Sequence, residues 1–247
     1  MPAANAASNC SQEETKKDMD LIQPGNVERM PKRLAASIAA FKQGKTPAGR
    51  DLTDEEKKQV QQLLPGMEQK LTDLQELVYQ SPTLTFKDRL DIDLGNRDVQ
   101  VLHLGRGNTP GDAIVYLPKE KILAAGDLLV HPIPYTFDGY PSEWVRTLTS
   151  MAQMDPAIIV PGHGPVLRDK AYLNLMIELL SSTVDQVRAR IRQLGHPGGH
   201  TVDEVKGFVD LSSFRSRFAG GDKDIEAAFD NMITPLLKIT FNEAALR

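Results

Sequence analysis

Apolar positions along this chain recur with two different periods. From Glu13 to about residue 80 they return every three or four residues, and between about 84 and 160 they come as short runs broken by glycine, proline and charged turns. The first period predicts helices. Leu34, Ile38 and Phe41 share a face, and a break is expected at Gln23-Pro24-Gly25, where proline removes a backbone donor. After a loop over 42–50, Thr53 and Glu56 form a capping box for a second helix carrying Met67, Leu71, Leu74, Leu77 and Val78, with a kink expected near Pro65-Gly66. The second period predicts strands at 84–86, 90–94, 99–104, 113–117, 122–125 and 157–160. Pro118 to Lys121 is a polar turn that folds two of these runs back antiparallel, and His103 is expected to be a hydrogen-bonded core residue in a strand interior.

Helical spacing returns twice more in long form. Trp144, Leu148 and Met151 share one face over 141–154, and Leu173, Ile177, Leu180, Val184, Val187 and Ile191 share another over 169–194, ended by Gly195 with Pro197 beyond. A loop over 195–200, a capping box at Thr201 to Glu204 and a last helix over 222–238 follow. His196 and His200 stand four residues apart, but Pro197-Gly198-Gly199 denies them a helix, so they are not expected to be paired ligands. Three regions result: a disordered stretch at 1–12, a helical segment or insert at 13–80, and a β/α region at 81–247 ending in helices.

Composition narrows the class. With 247 residues, 40% apolar and 25% charged, the chain has enough material for a sizeable core and resembles neither a disordered nor a membrane protein. A net charge of −4 gives no electrostatic basis for a nucleic-acid partner, and no apolar run approaches a membrane span, so neither nucleic acid nor membrane is expected as a partner. Cys10, the only cysteine, excludes an intrachain disulfide framework and a cysteine-rich zinc site. The opening residues lack a basic region followed by an apolar one, so a cytoplasmic location is expected for the chain as written, although full-length relatives of such a chain can be exported.

The candidate chemistry lies where the strands end. Residues 105–111 form a loop with three glycines and Pro110, a composition suited to wrapping a ligand; Asp127 follows Gly126 after one strand, and His163 sits in Pro161-Gly162-His163-Gly164 after another. The ordered run GRGNTPGD, VYLPKEKIL, GDLL and IIVPGHGPV, within roughly residues 99–169, resembles the C-terminal portion of the metallo-β-lactamase-fold hydrolases. The resemblance implies an α/β fold, here an incomplete αββα sandwich consisting of its C-terminal half with a helical N-terminal segment. It also implies metal-binding positions at Asn108, Asp127 and His163, with Asp127 catalytic in holding a metal-bridging water that attacks an ester, lactone, lactam or similar bond. Zinc, as one or two divalent ions, is the implied cofactor.

Two departures matter. Asn108 stands where the family usually has histidine, and the family's H-x-H-x-D-H cluster is absent, since the first histidine is already His103. Half of the ligands are therefore missing, and activity is expected to be impaired. His131 and Tyr135 are candidates to line a substrate pocket, with a surface or packing role as the alternative for His131. Three readings stay open: the C-terminal portion of a hydrolase acting on a small molecule, a paralogue whose sheet or site is completed by homo-oligomerisation, and a non-catalytic binding or structural module.

Overall fold

The computed structural model describes residues 10–136, 138–195 and 201–245. The expectation of disorder bears mostly on residues 1–9, and His196 and His200 fall in 196–200; both stretches lie outside the described residues. The chain divides into two compact units, one comprising Met1–Ser11 and Lys16–Leu84, the other Gln12–Thr15 and Thr85–Arg247.

The first unit is built from helix α1 (Glu13–Lys42, beginning in the second unit) and helix α2 (Asp54–Glu76). Both run continuously through their prolines, Pro24 and Pro31 in α1 and Pro65 in α2, so the break expected at Gln23-Pro24-Gly25 does not occur. The reason is exposure. Ile38 is the only buried residue of α1 and α2 has none, so carbonyls that lose a partner at proline can be hydrated. The capping box is present as expected, with Glu56 N donating to Thr53 Oγ1 at 3.2 Å and Thr53 N donating to Glu56 Oε2 at 2.8 Å. Lys42 pairs with Glu68 at 2.6 Å between the two helices.

Strands β1 (Cys10–Gln12) and β2 (Leu84–Phe86) are short. The main sheet holds β3 (Arg89–Asp93), β4 (Asp98–Leu102), β5 (Ile114–Leu117), β6 (Ile122–Val130) and β7 (Ile158–His163) in sequential order. The first four strands run antiparallel, β3 to β4 and β5 to β6 through short turns and β4 to β5 through the longer segment 103–113, whereas β6 and β7 are parallel because helix α3 (Pro141–Gln153) makes the crossover between them. Helices α4 (Ala171–Leu194), α5 (Val202–Lys206), α6 (Ser212–Ala219) and α7 (Lys223–Ala245) complete the unit, the last extending seven residues beyond the expected end.

The two faces of this sheet differ. Leu102, Ile114, Tyr116, Leu123 and Ile159 neighbour one another across strands and join Trp144, Leu148, Met151, Leu173, Phe229 and Leu236 in one core against the helices. On the opposite face the registers line up Val101, Val115, Ala124 and Val160, and beside them Leu117, Ile122 and Ile158. None of these is fully buried, and none belongs to a core cluster. Among the described residues this unit is one five-stranded sheet with one helical layer against it.

Candidate metal centre

Asp127 lies inside a β-strand and not at its end. β6 runs on to Val130, and its register with β7 slips between Ala124 and Gly126 and again between Gly126 and Val130. Such bulges re-aim side chains, and this one turns Asp127 toward the end of β7. There His163 Nε2 stands 3.6 Å from Asp127 Oδ1, with both side chains substantially exposed. Gly162 makes room for the pair, since a Cβ at that position would collide with the Asp127 carboxylate and the Gly126–Asp127 backbone. Gly164, at φ +95°, lies against His131, whose carbonyl would be 2.8 Å from an added Cβ.

His131 is fixed from both sides. Its backbone N donates to the His163 carbonyl at 3.1 Å, and its ring packs on Tyr172 at 4.8 Å between centroids. Partial burial holds the His131 imidazole below its ordinary pKa, so the neutral form is favoured at neutral pH. Tyr172 donates to the Val130 carbonyl, and burial pushes its phenol well above the usual range. Tyr135 is half exposed, at 54%.

Asn108 is buried, at 8% exposure. With the amide oriented so that both its atoms meet complementary partners, its nitrogen donates to the carbonyls of Tyr135 at 2.9 Å and Asp138 at 3.3 Å. It thus ties the 105–112 loop to the segment before α3. The same loop is held at several further points. Arg106 makes a two-point ion pair with Glu143 at 2.7 and 2.6 Å and lies 4.0 Å over the Tyr140 ring. Thr147 donates to the Arg106 carbonyl at 2.8 Å, and Tyr140 N donates to Gly107 O at 2.9 Å. Asp112 accepts from Thr109 N at 2.9 Å and Thr109 Oγ1 at 2.6 Å, while burial raises its carboxyl above the ordinary aspartate range. His103 follows β4 and is not interior to it; its Nδ1 meets the Asp112 carbonyl at 2.6 Å.

Helix α3 begins without a side-chain cap of its own. Glu243, on the distant helix α7, supplies one, accepting from Ser142 N at 2.8 Å and Ser142 Oγ at 2.6 Å. Sequence reasoning missed this contact and the Arg106 clamp. Arg106 beside Gly105 carried a faint local signal; nothing around Glu243 did.

The Asp127 and His163 separation suits a shared cation, since two ligands on one tetrahedral zinc lie about 3.4 Å apart. The number of donors does not suit one. A zinc hydrolase site takes three protein donors and an open position, and among the described residues no three His, Cys, Asp or Glu side chains cluster so as to hold a metal ion. Asp127 and His163 are thus a pair of potential donors without a third beside them among the described residues.

The sequence profile of the metallo-beta-lactamase superfamily matches residues 26–163, from within α1 to His163 itself. A type 2 metallo-beta-lactamase of Bacillus sp. (strain 170) is 30% identical over 108 residues, 41% of this chain and 42% of that protein. A linear primary-alkylsulfatase of Pseudomonas sp. is 27% identical over 139 residues, 53% of this chain and 26% of that protein. The matches thus span less than half of these relatives. Among solved structures, a metallo-beta-lactamase from Pontibacter korlensis aligns with a TM-score of 0.38 and 28% identity, covering 41% of this chain and 50% of that one.

Proposed function

The chain belongs to the metallo-β-lactamase superfamily, and on that premise we propose that it contributes Asp127 and His163 to the metal centre of a hydrolase whose remaining donors lie outside the described residues. The observation carrying this reading is the 3.6 Å approach of Asp127 Oδ1 to His163 Nε2 beside a glycine whose missing side chain makes space for the carboxylate. Zinc is the metal the family favours. Asp127 brings the anionic oxygen and His163 the neutral nitrogen that a borderline divalent cation accepts together. His131, held against Tyr172 and bonded to the His163 backbone, fixes the strand end that presents His163. In this reading Asn108 acts by tying down the loop, and exposed Tyr135 faces a small molecule with an ester, lactone, lactam or similar bond.

The test is zinc affinity by competition with a chromophoric chelator, run beside a screen of ester, lactone, lactam and sulfate ester substrates. Weak binding of one zinc per chain, lost in Asp127→Ala and in His163→Ala, is expected. Gly162→Ala keeps both donors but displaces the carboxylate, and is expected to weaken zinc about tenfold. No zinc binding, or binding that both alanine variants retain, would refute the proposal. The donor count favours a second reading, a non-catalytic module that kept the sheet without the metal, and zinc-independent behaviour in every assay would select it.

A further inference from the structure

Helices α3 and α4 pack against each other, but small side chains, Ser142 and Val145 on α3 and Ser181 and Val184 on α4, leave a cleft of about 210 Å³ between them. Ser142 and Val184 are buried and form its floor. The rim carries charge, Arg146 from α3 and Asp185 and Arg188 from α4. That charge is largely unspent. Asp185 and Arg188 stand three residues apart on one helix, the spacing at which Asp54 and Lys57 pair at 2.9 Å elsewhere in the chain, yet neither has an ion-pair or hydrogen-bond partner among the described residues. The Arg146 guanidinium reaches only the Glu143 carboxylate, at 3.8 Å, and that carboxylate is already held by Arg106 at 2.7 and 2.6 Å. The N-terminus of α3 adds nothing to the cleft, because Glu243 caps it through Ser142.

We infer that this cleft binds a small hydroxycarboxylate, a monoanion with a hydroxyl beside its carboxylate. A guanidinium offers a flat fork of donors that matches a carboxylate, and Arg146 and Arg188 supply two of them. Ionised Asp185 can only accept, so it calls for a donor on the ligand, and its charge disfavours a compact dianion such as phosphate. Two lining cations against one lining anion leave a single positive charge for the ligand to neutralise. Val145 and Val184 give the ligand's carbon chain an apolar surface. The volume lies below the roughly 300 Å³ at which sites for drug-sized ligands begin, which suits a molecule of only a few carbons. The inference stands apart from the metal reading, because it involves neither Asp127 nor His163.

Titration of the full chain with lactate, acetate and phosphate in turn, followed through the arginine Nε–H signals by NMR, tests this directly. Lactate is expected to shift the Arg146 and Arg188 signals saturably, in the millimolar range. Acetate, which has no hydroxyl for Asp185, should bind about tenfold more weakly, and phosphate more weakly still. Arg188→Gln, a rim substitution that leaves the core intact, should weaken lactate about tenfold or more. Ser181→Leu fills the cleft without touching a charge and should abolish binding. Asp185→Asn should tighten phosphate while weakening lactate, and Asp127→Ala should bind lactate as wild type does. No saturable shift with lactate, acetate or phosphate bound as tightly as lactate, or full lactate affinity in Arg188→Gln would each overturn the inference.

Discussion

The loop over 105–112 and the bulge that carries Asp127 lie in the same unit, yet they are finished to different degrees. Around the loop nearly every polar group has a partner: Asn108 on two carbonyls, Arg106 on Glu143, Thr147 on the Arg106 carbonyl, Asp112 on Thr109. The core beneath is closed by Trp144, fully buried with Nε1 donating to the Leu128 carbonyl at 3.2 Å. Asp127 and His163, by contrast, have each other at 3.6 Å and open water. A fully satisfied loop stabilises the fold, whereas an exposed, sparsely partnered pair is available to a ligand. The loop is therefore finished to a degree that the Asp127 and His163 pair is not.

If that division is correct, stability should follow the loop and α3, and zinc should follow the pair. Trp144→Ala is expected to have the largest effect, about 3–5 kcal/mol in denaturant unfolding followed by circular dichroism, because it opens a cavity in the main core. Glu243→Ala should cost about 1–2 kcal/mol by removing the cap of α3, and combining it with Ser142→Ala should add little, since the two act through one interaction. Asp112→Asn should act through pH. The folded-state pKa of Asp112 is raised, so its protonated form is favoured on folding, and this contribution is full below the ordinary aspartate pKa and lost as pH rises through the raised value. The variant, which does not ionise, should therefore gain stability relative to wild type as pH rises through that window, measured by urea titration at several pH values. Asp127→Ala and His163→Ala should change stability least, by less than about 0.5 kcal/mol as read by the fluorescence of Trp144, the chain's single tryptophan. A loss of several kcal/mol in either would mean that the pair belongs to the scaffold.

The sequence exposes some of this and hides the rest, for definable reasons. The apolar face of α3 is legible because helical spacing reports which side is buried, and β5 and β6 are legible as short apolar runs bounded by turns. The nearness of Asp127 and His163 is legible through motif order, since each follows an apolar run that becomes one of two adjacent strands. The bulge that re-aims Asp127 is not legible, because β6 continues past it with Leu128 and Leu129 fully buried on the far side. Pro24 misleads because the cost of a proline depends on whether the helix is exposed, which spacing alone does not state. Glu243 and Ser142 are separated by about a hundred residues, beyond the reach of any local pattern. The uncovered sheet face is visible only after the registers are known, since single half-exposed valines are ordinary in any strand.

The central claim, that Asp127 and His163 stand ready to share one cation, is tested most directly by X-ray absorption at the zinc edge on the zinc-loaded chain. The account requires a first shell with a single imidazole and otherwise oxygen ligands, and loss of that imidazole signature in His163→Ala. Two or more imidazoles in the shell, or an identical spectrum from His163→Ala, would show that the metal is bound elsewhere and would contradict it.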